Sequence, residues 1–235
     1  MITQPRWNPC VVHYGPAVEQ FIADYFATNE GQVIFVAGAG FDPRSNAVAA
    51  RVARAGASVK GIFIQENRPN PVASLVARAS TNAQVLHEAI PKHTTIAIDI
   101  FGNDGAVVGG RSVITALSGQ SLDGVSDVIV DISALSVGTS FPIIRYLVKV
   151  AERRNGHMNL HLFVAHDPPL DAAIQSIPSD APSYVHGFKG AATLDSVSAA
   201  ARLWLPQLAT GRRGALARLY SFVDPHDTCP ILPFP

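Results

Sequence analysis

One stretch constrains this chain more than any other: VIFVAGAGFDPRSNAVAARVAR, from Val33 to Arg54. Val33-Ile34-Phe35-Val36 is an unbroken run of β-formers with no polar alternation, the pattern of a strand buried on both faces. Gly38-Ala39-Gly40 follows at once, then Phe41-Asp42-Pro43-Arg44-Ser45, then an alanine- and valine-rich helix to about Arg54. A strand covered on both faces needs helices above and below it, which points to α/β architecture. A strand that turns through glycines into a helix also aims backbone N–H groups and a helix N-terminus at one spot, the usual layout for holding an anion.

The rest of the chain repeats the alternation. Gly15-Pro16 opens a helix whose Val18, Phe21, Ile22, Tyr25 and Phe26 share a face. Further strands are expected over Ser58–Gln65, His93–Ile100, Asp127–Ile132 and Leu160–Ala165. Helices are expected over Val72–Ala79, Arg111–Leu117 and Phe141–Arg154, with Gln84–Ile90 open between strand and helix tail and Gly109-Gly110 as a break. After Pro169 the pattern loosens. A short helix at Leu170–Ile177, a sixth strand at Tyr184–Phe188 and helices at Ser196–Leu203 and Ala215–Phe222 are expected there. The fold class that follows is α/β: a Rossmann-like three-layer sandwich with a mostly parallel sheet, plus a less regular C-terminal helical segment. Residues 1–190 form the expected ligand-binding domain and 191–235 a helical, proline-rich segment. Its ending, PILPFP, is expected of a piece leading to a further effector domain.

Composition narrows the function classes. Lysine plus arginine equals aspartate plus glutamate at 18 each, so no electrostatic footprint for nucleic acid or an anionic membrane is indicated. No apolar run reaches the roughly 18 residues that span a bilayer, and MITQPRWNPC lacks a signal-peptide pattern. The expected location is cytoplasmic, where Cys10 and Cys229 stay reduced. No HExxH, CxxC, GxxxxGK[ST] or GxSxG is present. A metal site is therefore not expected, and no catalytic set can be chosen from spacing.

Ligands of open parallel sheets bind beyond the carboxyl ends of the strands, where strand order reverses. In the common orders the glycine-turn strand neighbours the fourth strand. Two loops should then face each other: GAGFDPRS, with Gly38, Gly40, Phe41, Asp42 and Arg44, and DISALSVGTS, with Asp131, Ser133, Ser136, Gly138, Thr139 and Ser140. Glu66, closing the second strand, is placed to accept hydrogen bonds from ribose hydroxyls. Each has a structural reading beside the binding one. The glycines serve close packing, Asp42 caps a helix with Pro43 at its first position, and Glu66 is a solvated turn acid. Arg44 either grips an anion or bridges to Asp131, and Asp131 either works as an acid or base or ties down its own loop.

Two resemblances sharpen this. QVIFVAGAGFDPR (Gln32–Arg44) resembles the first motif of the leucine carboxyl methyltransferase-like S-adenosylmethionine enzymes, and GIFIQENRPNP (Gly61–Pro71) resembles the acidic second strand that follows in that group. That resemblance implies that Gly38 and Gly40 hold the methionine end of the cofactor, Glu66 the ribose and Arg44 a substrate carboxylate. DVIVDISALSVGTSFPIIRYLVKV (Asp127–Val150) resembles the fourth strand and following helix of CRISPR-associated Rossmann-fold sensor domains. It implies that Asp131-Ile132-Ser133 and the Gly138-Thr139 loop contact a cyclic oligonucleotide, in a homodimer or larger assembly. The expected function is a binding or sensor domain for a nucleotide-type ligand in a bacterial stress or phage-defence protein. An S-adenosylmethionine-dependent methyltransferase and a nucleotide- or NAD-consuming hydrolase are the alternatives.

Overall fold

Val33, Ile34, Phe35, Val36 and Ala37 are each no more than 1% exposed, and the sheet is built outward from them. A computed structural model describes residues 10–56, 58–174, 181–188, 201–208 and 213–232. The chain divides into two compact units, residues 1–167 and 168–235. The first unit runs α1 (Pro16–Thr28), β1 (Gln32–Gly38), a 3-10 turn (Pro43–Asn46), α2 (Ala47–Arg54), β2 (Val59–Asn67), α3 (Ala73–Ala89), β3 (His93–Asp99), α4 (Gly109–Ser118), β4 (Val125–Asp131), α5 (Val137–Arg153) and β5 (Asn159–Phe163).

The five strands are all parallel, in the order β3-β2-β1-β4-β5. This is the Rossmann-like three-layer arrangement. On one face Val33, Phe35, Phe63 and Ile129 pack with Ile22 and Phe26 of α1 and Val48 and Val52 of α2. On the other, Ile34, Val36, Ile62, Ile64, Val128 and Val130 pack with Val113 of α4 and Ile143 and Leu147 of α5. Odd and even positions of β1 thus feed two cores, which is why its sequence shows no polar alternation. Among the described residues, no helix is long and apolar enough to cross a membrane.

Several boundaries differ from the sequence expectation. Gln84–Ala89 continues α3 as helix, because Leu86 on that last turn is fully buried. Gly109 and Gly110 open α4 instead of breaking the chain, and both are buried. The second unit holds α6 (Pro168–Ala173), β6 (Leu203–Trp204), α7 (Arg213–Val223) and β7 (Asp227–Thr228), with β6 and β7 paired in parallel. Tyr184–Phe188 is not a strand; it turns at His186-Gly187, where Gly187 takes φ 82°. Leu203 is in a strand, not a helix, while 196–200 of that expected helix lie outside the described residues.

A buried polar network ties α1 to the amino-terminal end of the sheet. Asp127, 1% exposed, accepts from Tyr25 Oη at 2.7 Å, Asn29 Nδ2 at 2.6 Å, Ser126 Oγ at 2.7 Å and Asn159 Nδ2 at 3.2 Å, and His161 Nε2 lies 2.8 Å away. Burial by itself would raise its pKa. The bonds from His161, Ser126, Tyr25 and Asn29 overcome that and bring it down to about 2. Burial, then the bond to Asp127, pushes the Tyr25 phenol up to about 12. Because the folded pKa lies below the unfolded one, Asp127 contributes fully above about pH 4, and the contribution is lost as pH falls through about 2. Asp127→Asn is expected to cost about 2–3 kcal/mol at pH 7 and to flatten the acid limb of the stability curve, read by urea denaturation. An equally steep acid limb in the variant would contradict this account.

Candidate functional site

The carboxyl edge of the sheet starts at Gly38, which ends β1. A Cβ there would lie 2.6 Å from the Ala134 carbonyl oxygen and 3.0 Å from Leu135 Cδ2. The loop after β4 therefore sits directly on the glycine turn. At Gly40 the same carbonyl would stand 3.2 Å from an added Cβ. The packing role of these glycines is plain: the two loops meet only because β1 ends without a side chain.

The turn itself is held twice. Asp42 Oδ1 accepts from Arg44 N at 2.9 Å and from Arg44 Nε at 2.9 Å, and Asp42 Oδ2 accepts from Arg44 Nη2 at 2.7 Å. Asp42 thus caps the 3-10 turn, with Pro43 at its first position. The Arg44 side chain, against the opposing effect of burial, holds the Asp42 carboxyl below its usual range. From α3, Asn82 Nδ2 donates to Gly40 O at 2.9 Å and to Asp42 O at 3.0 Å. Phe41, between those two carbonyls, is 49% exposed.

The facing loop is built around Asp131 and Ser136. Ser133 donates from N and Oγ to Asp131 Oδ1, and its Oγ accepts from Ala165 N at 2.8 Å, tying the loop to the chain beyond β5. Ser136 is the N-cap residue of α5, yet its hydroxyl does not cap its own helix. Glu66 does that work from the end of β2: its Oε1 accepts from Ser136 N at 3.0 Å and Ser136 Oγ at 2.9 Å. A carboxylate at that position also complements the helix dipole. Thr139 and Ser140 are buried, and their N–H groups donate to Ser136 O. A Cβ added at Gly138 would meet Ser136 Oγ at 4.0 Å, an ordinary contact, and Val137 and Phe141 are exposed.

All the sequence-selected residues therefore lie on one sheet edge, across β2, β1 and β4. Their side chains largely serve one another. The alternative bridge from Arg44 to Asp131 is replaced: Arg44 turns back on Asp42, and Asp131 is answered by Ser133. Asn82 and Ala134 were not singled out in the sequence. Asn82 carries a signal, a poor helix former beside Leu86's buried face. Ala134 acts through its carbonyl and carries none. Among the described residues, no three His, Cys, Asp or Glu side chains gather into a metal-binding set. A shallow hollow over α1, lined by His13, Ala17, Phe21 and Tyr25, has walls from that helix and its lead-in only and does not enclose a ligand.

Asp131 differs from its neighbours. It is 1% exposed, and its Oδ2 has no hydrogen-bond partner among the described residues. Burial pushes its pKa up to about 6; the Ser133 bonds pull the other way, and the nearby Asp42 charge adds to the rise.

Comparison with known proteins adds no assignment: no protein-family model matches this sequence, and a search of curated proteins returns no match.

Two outcomes follow for this edge. Gly38→Ala should lose about 1–3 kcal/mol of stability in urea denaturation, and more than Gly40→Ala, because its Cβ would stand 2.6 Å from the backbone carbonyl of Ala134 against 3.2 Å at Gly40. For Asp131 the sign is opposite to that of Asp127. A folded pKa raised to about 6 means that ionisation costs stability above that pH and costs nothing below about pH 4. Asp131→Asn should therefore gain about 2–3 kcal/mol relative to wild type on going from pH 4 to pH 8. A pH-independent difference between the two proteins would refute it.

Proposed function

We propose that the carboxyl edge of this sheet binds a nucleotide-type ligand, and that the domain is a binding or sensor module of the kind used in bacterial stress and phage-defence proteins. One observation carries the reading. The strand order reverses between β1 and β4, and the two glycine- and hydroxyl-rich loops meet above that reversal. Open parallel sheets take their ligands at such switch points. The close contact of Ala134 with Gly38 closes the floor of the crevice, so the ligand lies over the joined loops. There Phe41 and Val137 offer exposed apolar surface for a base to stack on. The likeness of DISALSVGTS to sensor-domain loops supports the sensor role. S-adenosylmethionine is a specific second ligand because Glu66 lies near the carboxyl end of β2, the strand beside the glycine turn.

A thermal-shift panel of AMP, NAD, S-adenosylmethionine and cyclic tetra-adenylate tests the reading. A true ligand at 100 times its Kd should add about 2.7 kcal/mol of stability. Gly40→Val should abolish that response while leaving the fold intact, since its Cβ would crowd only the Ala134 carbonyl and the surface above it. A flat response from wild type across the panel overturns the proposal. A response from S-adenosylmethionine alone moves it to methyl transfer.

A further inference from the structure

Among the described residues, the buried side-chain oxygen without a hydrogen-bond partner is Oδ2 of Asp131. Buried acceptors are nearly always paired, so this exception calls for a reason. Its sister oxygen is fixed by two donors from Ser133, N and Oγ, which removes any freedom of the carboxylate to turn and satisfy itself elsewhere. The group stands at the last residue of β4, paired in register with Ala37 of β1. It is thus at the strand-order reversal itself, beside the glycine turn. Two residues beyond Ile129, it shares that residue's face, the α1–α2 side, where the Asp42 carboxylate is close enough to disfavour its ionisation.

Those facts select the chemistry of a partner. A phosphate or carboxylate is excluded by two acidic side chains in one place. A full cation is not demanded, because Asp42 already pairs with Arg44. A neutral donor fits best, and in a nucleotide the neutral donors beside the anionic group are the sugar hydroxyls. The other acid ending a strand at this edge is less suited. Glu66 commits Oε1 to Ser136, and its half-buried position lets solvent answer the other oxygen.

We propose that Asp131 Oδ2 accepts a hydrogen bond from a sugar hydroxyl, so that this edge selects ribonucleotides over nucleotides lacking those hydroxyls. The inference rests on the nucleotide reading above and names the group that reads the sugar. Asp131 is 1% exposed, so under this proposal the edge must open for the sugar to reach it; the neighbouring Gly40–Asp42 segment, which hangs from Asn82 Nδ2 through the Gly40 and Asp42 carbonyls, is the part proposed to lift. A site that leaves a buried polar atom unpaired discriminates sharply against an analogue that cannot fill it.

Isothermal titration of the full chain with AMP and with 2′,3′-dideoxy-AMP tests this, in wild type and in Asp131→Asn. The two probes carry the same phosphate, so its titration cancels in their ratio. Wild type should prefer AMP by about tenfold or more, the discrimination expected of a charge-assisted hydrogen bond. In Asp131→Asn the Ser133 donors hold the amide oxygen and leave the nitrogen facing the sugar, so the preference should shrink to about threefold or less. Thermal melting of the variant confirms that it is folded. Equal binding of the two probes by wild type, or a preference that survives in Asp131→Asn, overturns the inference and leaves the nucleotide reading standing. Absence of AMP binding overturns the inference too, and with a silent ligand panel it overturns the nucleotide reading as well.

Discussion

The carbonyl of Ala134 resting on Gly38 is the contact on which the carboxyl edge depends. Gly38 ends the most buried strand of the sheet, and any side chain there would hold the β4 loop away. With the loop seated, Ser136 comes within reach of Glu66, and the residue at the end of β2 caps the helix that follows β4. Ser133 then reaches Ala165, so the clasp runs from β2 across β1 and β4 to the chain leaving β5. Each bond is worth only about 1 kcal/mol net. Their joint effect is geometric: they fix the relative position of two loops far apart in sequence, which is the kind of preorganisation a binding surface needs.

The α/β architecture was legible because it is dictated by patterns the chain cannot hide. An apolar run such as Val33–Ala37 reads as a strand covered on both faces, and the helical spacing of Ile143, Leu147 and Ala151 marks the face of α5 that covers it. The loops were legible as a pair for the same reason, since parallel order brings them to one edge. What escaped was everything mediated by backbone or by a partner of opposite sequence direction. The Ala134 carbonyl has no signature in a one-letter code. Glu66 as a cap for α5 requires knowing that β2 and the β4 loop meet across β1. Tyr184–Phe188 misled because local β propensity is satisfied only when another strand is present to pair with it.

Asp127 and Asp131 mark the two ends of β4 and are treated differently by the fold. They lie on the same face of the same strand, and each is 1% exposed. At the amino-terminal end, residues from α1, β4 and β5 converge on Asp127 and hold its carboxyl at about 2. At the carboxyl end, Asp131 receives donors from a single residue, keeps one oxygen without a partner and rises to about 6. The same fold therefore satisfies a buried aspartate fully where it anchors a helix and leaves one half-satisfied where the strand order reverses. A chain selected only for stability would replace Asp131 with an apolar residue, because an ionised carboxyl in that position works against folding. An unmatched carboxyl oxygen beside the glycine turn is understandable if, as proposed, its partner comes from outside the chain. Under the proposal made above, that deficit in hydrogen bonding would be the means by which the edge tells one ligand from another.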